Sequence, residues 1–479
     1  MPTRPLYLAG TFQETGTTLD VIHPFDGKVV ATVAQAGKTH IDRALDAAVR
    51  SLTETRAMEP HQRKAVLDHI AHRLTERAEE FAKTLTLENG KTIKESRGEV
   101  QRAISTFAFA ASEAWMTKGE SFDGGITAAA SGRRILVRQF PIGVVVGIAP
   151  FNFPLNLAAH KIAPAIAAGC PIVLKPATKT PLSCLLLSEI IAETQWPKGA
   201  FSCLPCDREA GQMLVEDERV KLLSFTGSPS VGWKMKRDAG KKKVVLELGG
   251  NAGLIIDNNV QDWDWLISRA VMGAFYQCGQ SCISVQRIFC HEAVYDEFKK
   301  RFVAALQKIR VGDPMSEETD MGPIIDAANA KRINEWVDEA VTRGATVITG
   351  KNTGGTMFTP ILVESVDASA KLSKEEAFGP VVTLECVSSV TEAITKVNDS
   401  VFGLQCGLFS NDFQTIQYAF NVLEVGGLVV NDVPSFRVDH MPYGGIKDSG
   451  LGREGIRYAM KDMLEEKVMV YFSPWNTKK

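Results

Sequence analysis

No stretch of this chain approaches the ~18 uninterrupted apolar residues that a membrane-crossing helix needs. The opening MPTRPLYLAGTF also lacks the apolar core of a signal peptide, so a cytoplasmic protein with no membrane partner is expected. Charge of one sign is missing too. The 54 Lys and Arg nearly cancel the 56 Asp and Glu, and a formal charge of -2 creates no field that would gather nucleic acid or anionic lipid. Cysteine is sparse, nine in 479 residues scattered along a chain with ample core, which argues against a disulfide framework. Cys203 and Cys206 have the CLPC spacing of a metal knuckle, but no second pair and no histidine stands at ligand spacing; no metal is expected. Finally, GxGxxG, the usual dinucleotide fingerprint, does not follow the first strand of the α/β region.

What is present points to more than one α/β core, since domains average ~150 residues. From about 40 to 118, segments such as DRALDAAVRSL and EVQRAISTFAFAASEA place apolar residues at helical spacing. RRILVRQFPIG, 133 to 143, alternates as an antiparallel ribbon does. From 142, five β-rich runs (IGVVVGIAP, CPIVLKP, AFSCLP, KLLSFTG, KKVVLELGG) alternate with helical segments. That pattern predicts a doubly wound parallel sheet with its crevice at the strands' carboxyl ends, where Lys175, Thr226 and Glu247 would gather. A second α/β stretch runs from about 252 to 445. The closing EEKVMVYFSPW reads as a strand with no helix to cover it, which predicts pairing with another subunit in a homodimer or homotetramer.

Four sites carry candidate chemistry. Cys282, in GQSC between a helix and a strand, is either a buried small residue or a thiol presented to a crevice. Glu247 ends the apolar strand VVLEL, where a carboxylate is costly unless it is paired or working as a base. Asn152 in PFNFP stands between two prolines that fix its backbone, so its amide either satisfies a turn or donates to an oxyanion. Thr226, Gly227 and Ser228 form a strand-to-helix turn on which a pyrophosphate would rest, with Lys175 in reach of a ribose.

PFNFP, LKPATKTP, FTGS, LELGG, GQSC, EEAFGPV and PYGGIKDSGLGREG follow one another in this order. Together they resemble the aldehyde dehydrogenase superfamily over essentially the whole chain. The resemblance implies NAD(P)-dependent oxidation of an aldehyde to its acid, with Cys282 as nucleophile, Glu247 as the base of deacylation and Asn152 as oxyanion donor. It implies cofactor contacts from Phe151, which stands where a tryptophan is common, and from Lys175, Gly211, Thr226, Gly227, Ser228, Leu248, Glu376 and Phe378. Thr178 replaces the glutamate of NAD-preferring relatives; without that carboxylate, and beside Lys175 and Lys179, a 2′-phosphate is tolerated, so use of NADP as well as NAD is expected. The implied fold is two tandem Rossmann-like doubly wound domains, NAD(P)-binding over 1–118 and 142–250 and catalytic over 251–445, with an oligomerisation ribbon over 119–141 and 465–479.

Within the superfamily, GQSCISVQRI and the run ending GLGREG resemble the branch of lactaldehyde and phosphonoacetaldehyde dehydrogenases, which implies a small polar aldehyde. By family position His160 and Arg102 face the substrate tunnel and Arg437 lies in the loop that closes it. Ser281 precedes the nucleophile where some phosphate-handling relatives carry arginine, which argues against a phosphorylated substrate. Two other readings compete. A coenzyme A-acylating relative would generally lack the base that Glu247 supplies, and a catalytically silent binding member would not need Cys282, Glu247 and Asn152 together.

Overall fold

The computed structural model describes residues 3–115 and 119–472. The expected boundary at 118 and the tail of the ribbon, 473–479, lie outside the described residues. Eight strands form a first sheet in the order Thr11–Gln13, Leu6–Leu8, Phe201–Cys203, Ile172–Lys175, Val144–Ile148, Val220–Thr226, Lys243–Glu247 and Gly450–Leu451. The five in the middle, those read from the sequence, are parallel to one another. They are runs of Val, Ile and Leu because helices cover both faces and no face alternates. Lys38–Ala57 packs on one side with Ile41, Leu45 and Ala48, while Pro60–Glu76, Ala78–Asn89 and Ile93–Glu113 enclose the fully buried helix Pro154–Ala168 on the other.

A second, seven-stranded sheet runs Thr346–Thr349, Ile361–Glu364, Val381–Val387, Arg287–His291, Gly253–Ile256, Gln405–Phe409 and Gly427–Val430. All its neighbours are parallel except the first pair. The chain passes from one sheet to the other between Glu247 and Gly253, through Gly249 and Gly250. A side chain at 249 would put its Cβ 2.3 Å from a Glu376 carboxylate oxygen, so this crossing runs directly beneath the second sheet's loop.

The strand Leu464–Phe472 pairs antiparallel with Arg133–Pro141 over nine registered positions, and Arg133–Pro141 pairs in turn with Glu120–Asp123. Its outer edge is unpaired among the described residues, and all of its side chains except Leu464 are exposed. The first sheet is wider than read. Leu6–Leu8 and Thr11–Gln13 extend one edge, and Gly450–Leu451 returns from beyond the second sheet to close the other.

Candidate active site

The central strands of the first sheet end level with one another: Ile148 registers with both Lys175 and Phe225, and Thr226 with Glu247. A cavity of about 910 Å³ opens there, walled opposite by the helix Ala327–Thr342, through Arg332 and Trp336, and by the loop bearing Glu376 and Phe378. Cys282, Glu247 and Asn152 line it together.

Asn152 sits between the end of Val144–Ile148 and the start of Pro154–Ala168, whose first-turn proline needs no N–H partner. Its backbone carbonyl accepts from Lys91 Nζ at 2.8 Å and from Gln277 Nε2, while Asn89 Nδ2 holds the Phe151 carbonyl at 2.6 Å. With the backbone clamped, the amide is aimed across the cavity at the Cys282 loop, where Nδ2 donates to the Gln280 carbonyl at 3.1 Å.

That loop begins where the helix Trp263–Phe275 ends. Gln277, Cys278 and Gly279 take φ of 51°, 55° and 68°, three consecutive left-handed residues that turn the chain sharply toward the cavity. At Gly279 a Cβ would stand 2.2 Å from the Gly379 carbonyl, so only glycine fits. Cys282 follows, half-buried, and its backbone N–H bonds no other backbone group among the described residues. Burial pushes the Cys282 thiol up to about 12; Glu376 and Glu247 add to the rise, while a hydrogen bond from Tyr443 and the charge of Arg437 oppose it.

Glu247 is 3% exposed, and neither of its carboxyl oxygens has a hydrogen-bond partner among the described residues. Burial, then repulsion from Glu454, holds it well above the usual carboxylate range, against the pull of Arg437, Lys161 and Arg453. A carboxyl raised in this way is suited to exchange a proton with whatever enters the cavity. Glu454 contrasts with it. Burial alone would raise it too, but Lys161 and Arg437 hold it down at about 2, and Arg437 bonds it at 3.0 Å.

The cofactor residues read from the sequence divide into two groups. Phe151, Thr226, Gly227, Ser228, Leu248, Glu376 and Phe378 line the cavity, with the Phe151 and Phe378 rings edge to face at 5.8 Å. Lys175, Thr178 and Gly211 do not. The Lys175 stem crosses Gly211, where a Cβ would lie 2.9 Å from its Cε, and its ammonium has only the Pro176 carbonyl at 3.5 Å. Thr178 is exposed three residues on, and the neighbouring Lys179 pairs with Asp326. Ser228 caps the helix Pro229–Asp238 without a side-chain bond, leaving that N-terminus open to the cavity. A helix start with no side-chain cap bond, facing the cavity, and Lys175 outside its lining fit a dinucleotide: Ser228 and the helix would hold pyrophosphate, Glu376 one ribose, and Lys175 the other where the dinucleotide extends past the cavity.

None of the four substrate candidates lines this cavity. His160 is 2% exposed, with Nε2 at 2.8 Å from Asp439 and its ring 3.3 to 3.4 Å from Arg437, so it is enclosed by charged neighbours and does not face open space. Burial and Arg437 push its pKa down, against the pull of Asp439 and Glu454. Arg437 lies over the Tyr443 ring at 3.8 Å, and Arg102, 30% exposed, pairs with Asp439 at 2.8 Å. Ser281 lines a separate small cleft with Ser284 and Gln286. The sequence reading overlooked Tyr443, Glu454, Lys161, Asp439 and the clamp of Lys91 and Gln277. Tyr443 and Glu454 lie inside PYGGIKDSGLGREG, but nothing in that string says that its aromatic ring reaches Cys282 or that its glutamate lies behind Glu247.

A profile of the aldehyde dehydrogenase family matches residues 12–469. The chain is 41% identical over 466 residues to a 3-sulfolactaldehyde dehydrogenase of Priestia aryabhattai, covering 97% of each. It is 35% identical over 457 residues to a lactaldehyde dehydrogenase of Methanococcus vannielii, covering 94% of this chain and 97% of the relative. Its fold superposes on aldehyde dehydrogenase 21 of Physcomitrella patens, solved in complex with the reaction product succinate, with a TM-score of 0.97 at 49% identity over 98% of both chains. Solved relatives hold NADP or NAD. The chain belongs to the aldehyde dehydrogenase family, oxidoreductases that convert an aldehyde to its acid with a nicotinamide cofactor.

Proposed function

We propose that this enzyme oxidises a short polar aldehyde, one bearing an anionic or hydroxyl group, through a thioester on Cys282. The observation that carries the reading is the convergence of one thiol, one unpaired carboxyl and one clamped amide on a single cavity. The Cys282 thiolate adds to the aldehyde carbon, and the Asn152 amide and the Cys282 N–H donate to the oxyanion that forms. When bound, the nicotinamide cofactor supplies the hydride acceptor. A thioester is left on Cys282. Glu247 takes a proton from water, the resulting hydroxide adds to the thioester carbonyl, the C–S bond breaks, and the acid leaves.

Two features support the substrate class. The names of the relatives, 3-sulfolactaldehyde and lactaldehyde dehydrogenase, and the succinate held by the Physcomitrella enzyme all describe short chains with a polar group besides the carbonyl. In this chain Arg102, outside the cavity and paired with Asp439, keeps its guanidinium partly exposed 5.9 Å from the Phe153 ring, next to Asn152, which lines the cavity. We further read Thr178 as permitting NADP beside NAD, and the protein as a cytoplasmic homodimer or homotetramer that uses the free edge of Leu464–Phe472.

A panel of propanal, lactaldehyde, 3-sulfolactaldehyde and succinic semialdehyde, run with NAD and NADP and with or without coenzyme A, tests this reading. The expected result is formation of reduced cofactor without coenzyme A and a kcat/KM at least tenfold higher for the polar aldehydes than for propanal, an advantage that Arg102→Gln reduces. Strict dependence on coenzyme A would identify an acylating enzyme, and no turnover on any member would identify a silent one.

A further inference from the structure

We propose that Tyr443 is a catalytic residue of this enzyme, whose phenol hydroxyl hydrogen-bonds the Cys282 sulfur and stabilises the thiolate that attacks the aldehyde. The inference rests on the reading of Cys282 as nucleophile. The Tyr443 oxygen lies 3.1 Å from Sγ, the one side-chain hydrogen bond that the sulfur makes among the described residues. Among the groups that bear on the sulfur's charge, Glu376 and Glu247 oppose ionisation and Arg437 favours it from a distance; Tyr443 alone touches it.

The phenol is held for this contact. Its ring is buried in a small apolar cluster with Ile283 and Leu404, and its backbone exchanges hydrogen bonds with Glu454 at 3.1 and 2.7 Å. Arg437, anchored on Glu454, lies over the ring face at 3.8 Å, a cation placed where it draws electron density from the ring and strengthens the O–H as a donor. The donors thus divide the charge between them. Tyr443 serves the sulfur before attack, and the Asn152 amide serves the oxygen after it. In the ionisation the thiol proton departs to solvent and Tyr443 keeps its own. As the C–S bond forms, negative charge leaves the sulfur for the carbonyl oxygen and the phenol's contribution fades.

A hydrogen bond to a charged acceptor typically changes such an equilibrium by about ten- to a hundredfold. Tyr443→Phe keeps the ring, its packing and the Arg437 contact while deleting the donor. The experiment compares the full-length variant with the parent enzyme in the rate of Cys282 alkylation by iodoacetamide across pH, with the modified residue located by mass spectrometry. Alongside it, rapid mixing records the first-turnover burst of reduced cofactor. The expected result is alkylation slower by about ten- to a hundredfold at each pH between about 7 and 9, on a profile displaced upward in pH, with a burst slowed to match and cofactor affinity unchanged. A packing defect would open the site and raise the alkylation rate, so that result overturns the proposal. So does a profile that coincides with the parent's while Cys282 remains the residue whose alkylation abolishes turnover. If alkylated Cys282 leaves turnover intact in the parent enzyme, the nucleophile assignment itself fails, an outcome separate from the other two.

Discussion

Glu247 is the residue at which environment most clearly turns an ordinary side chain into a reagent. Its carboxyl has no hydrogen-bond partner among the described residues and is raised well above the carboxylate range, chiefly by burial, which suits it to exchange a proton with water. Glu247→Gln is expected to yield one stoichiometric burst of reduced cofactor and then stall, with steady-state kcat lower by at least a hundredfold; stopped-flow absorbance reads both phases. The parent enzyme's kcat should rise with pH through the raised pKa of this group, because the base works only when deprotonated. Thr178→Glu is expected to lower kcat/KM with NADP at least tenfold while sparing NAD, since a carboxylate beside the Lys175 end of the site repels a 2′-phosphate. Initial rates with the two cofactors measure it. Cys282, Glu247 and Asn152, each open to a structural reading alone, were singled out by the ordered set of short strings that holds them, and the fold brings the three to one cavity. Tyr443 was not legible, because its partner lies 161 positions away and no pattern separates a phenol that packs from one that donates.

At the scale of elements, precision comes from turns held by side chains of distant helices. The left-handed run Gln277–Cys278–Gly279 is secured by Gln277, whose N–H donates to Glu95 at 2.6 Å and whose side chain donates to Asn89 and to the Asn152 carbonyl. Lys91, buried against Glu99, holds the same carbonyl. Helices Ala78–Asn89 and Ile93–Glu113 therefore fix the Cys282 loop and the Asn152 loop relative to each other. Gly279→Ala is expected to cost about 2 kcal/mol or more of stability and to slow the burst by at least tenfold, because the new Cβ must displace the Gly379 carbonyl and move the loop. A urea melt and the burst amplitude check the two effects. The five parallel strands were readable from their unbroken apolar runs. Leu6–Leu8, Thr18–Ile22 and Gly450–Leu451 were not, being too short for a period and defined only by their partners.

For the whole molecule, several carboxyl groups are buried in the native state and solvated in the unfolded one. Burial raises Glu88 and Glu376 to about 7, against backbone N–H donors at Leu182, Ser183 and Gly250. The folded protein keeps these protons after the unfolded chain has released them at about 4.5, so their contribution is full below that pH and is lost as pH rises through 7. Glu454 works in the opposite sense: held at about 2, it stabilises above about 4.5 and that contribution is lost as pH falls through 2. Urea midpoints should therefore be higher near pH 5 than near pH 8, and Glu88→Gln should flatten that slope.

The stretch from Gly427 to Leu451 begins in the second sheet, carries Arg437 and Tyr443 past the thiol, and ends hydrogen-bonded to the first. It works as a stitch drawn through two separate pieces of cloth. A single peptide cut near the exposed Phe436 would spare both sheets and the three residues first recognised, and yet loosen the seam along which sulfur, phenol and guanidinium are kept in line.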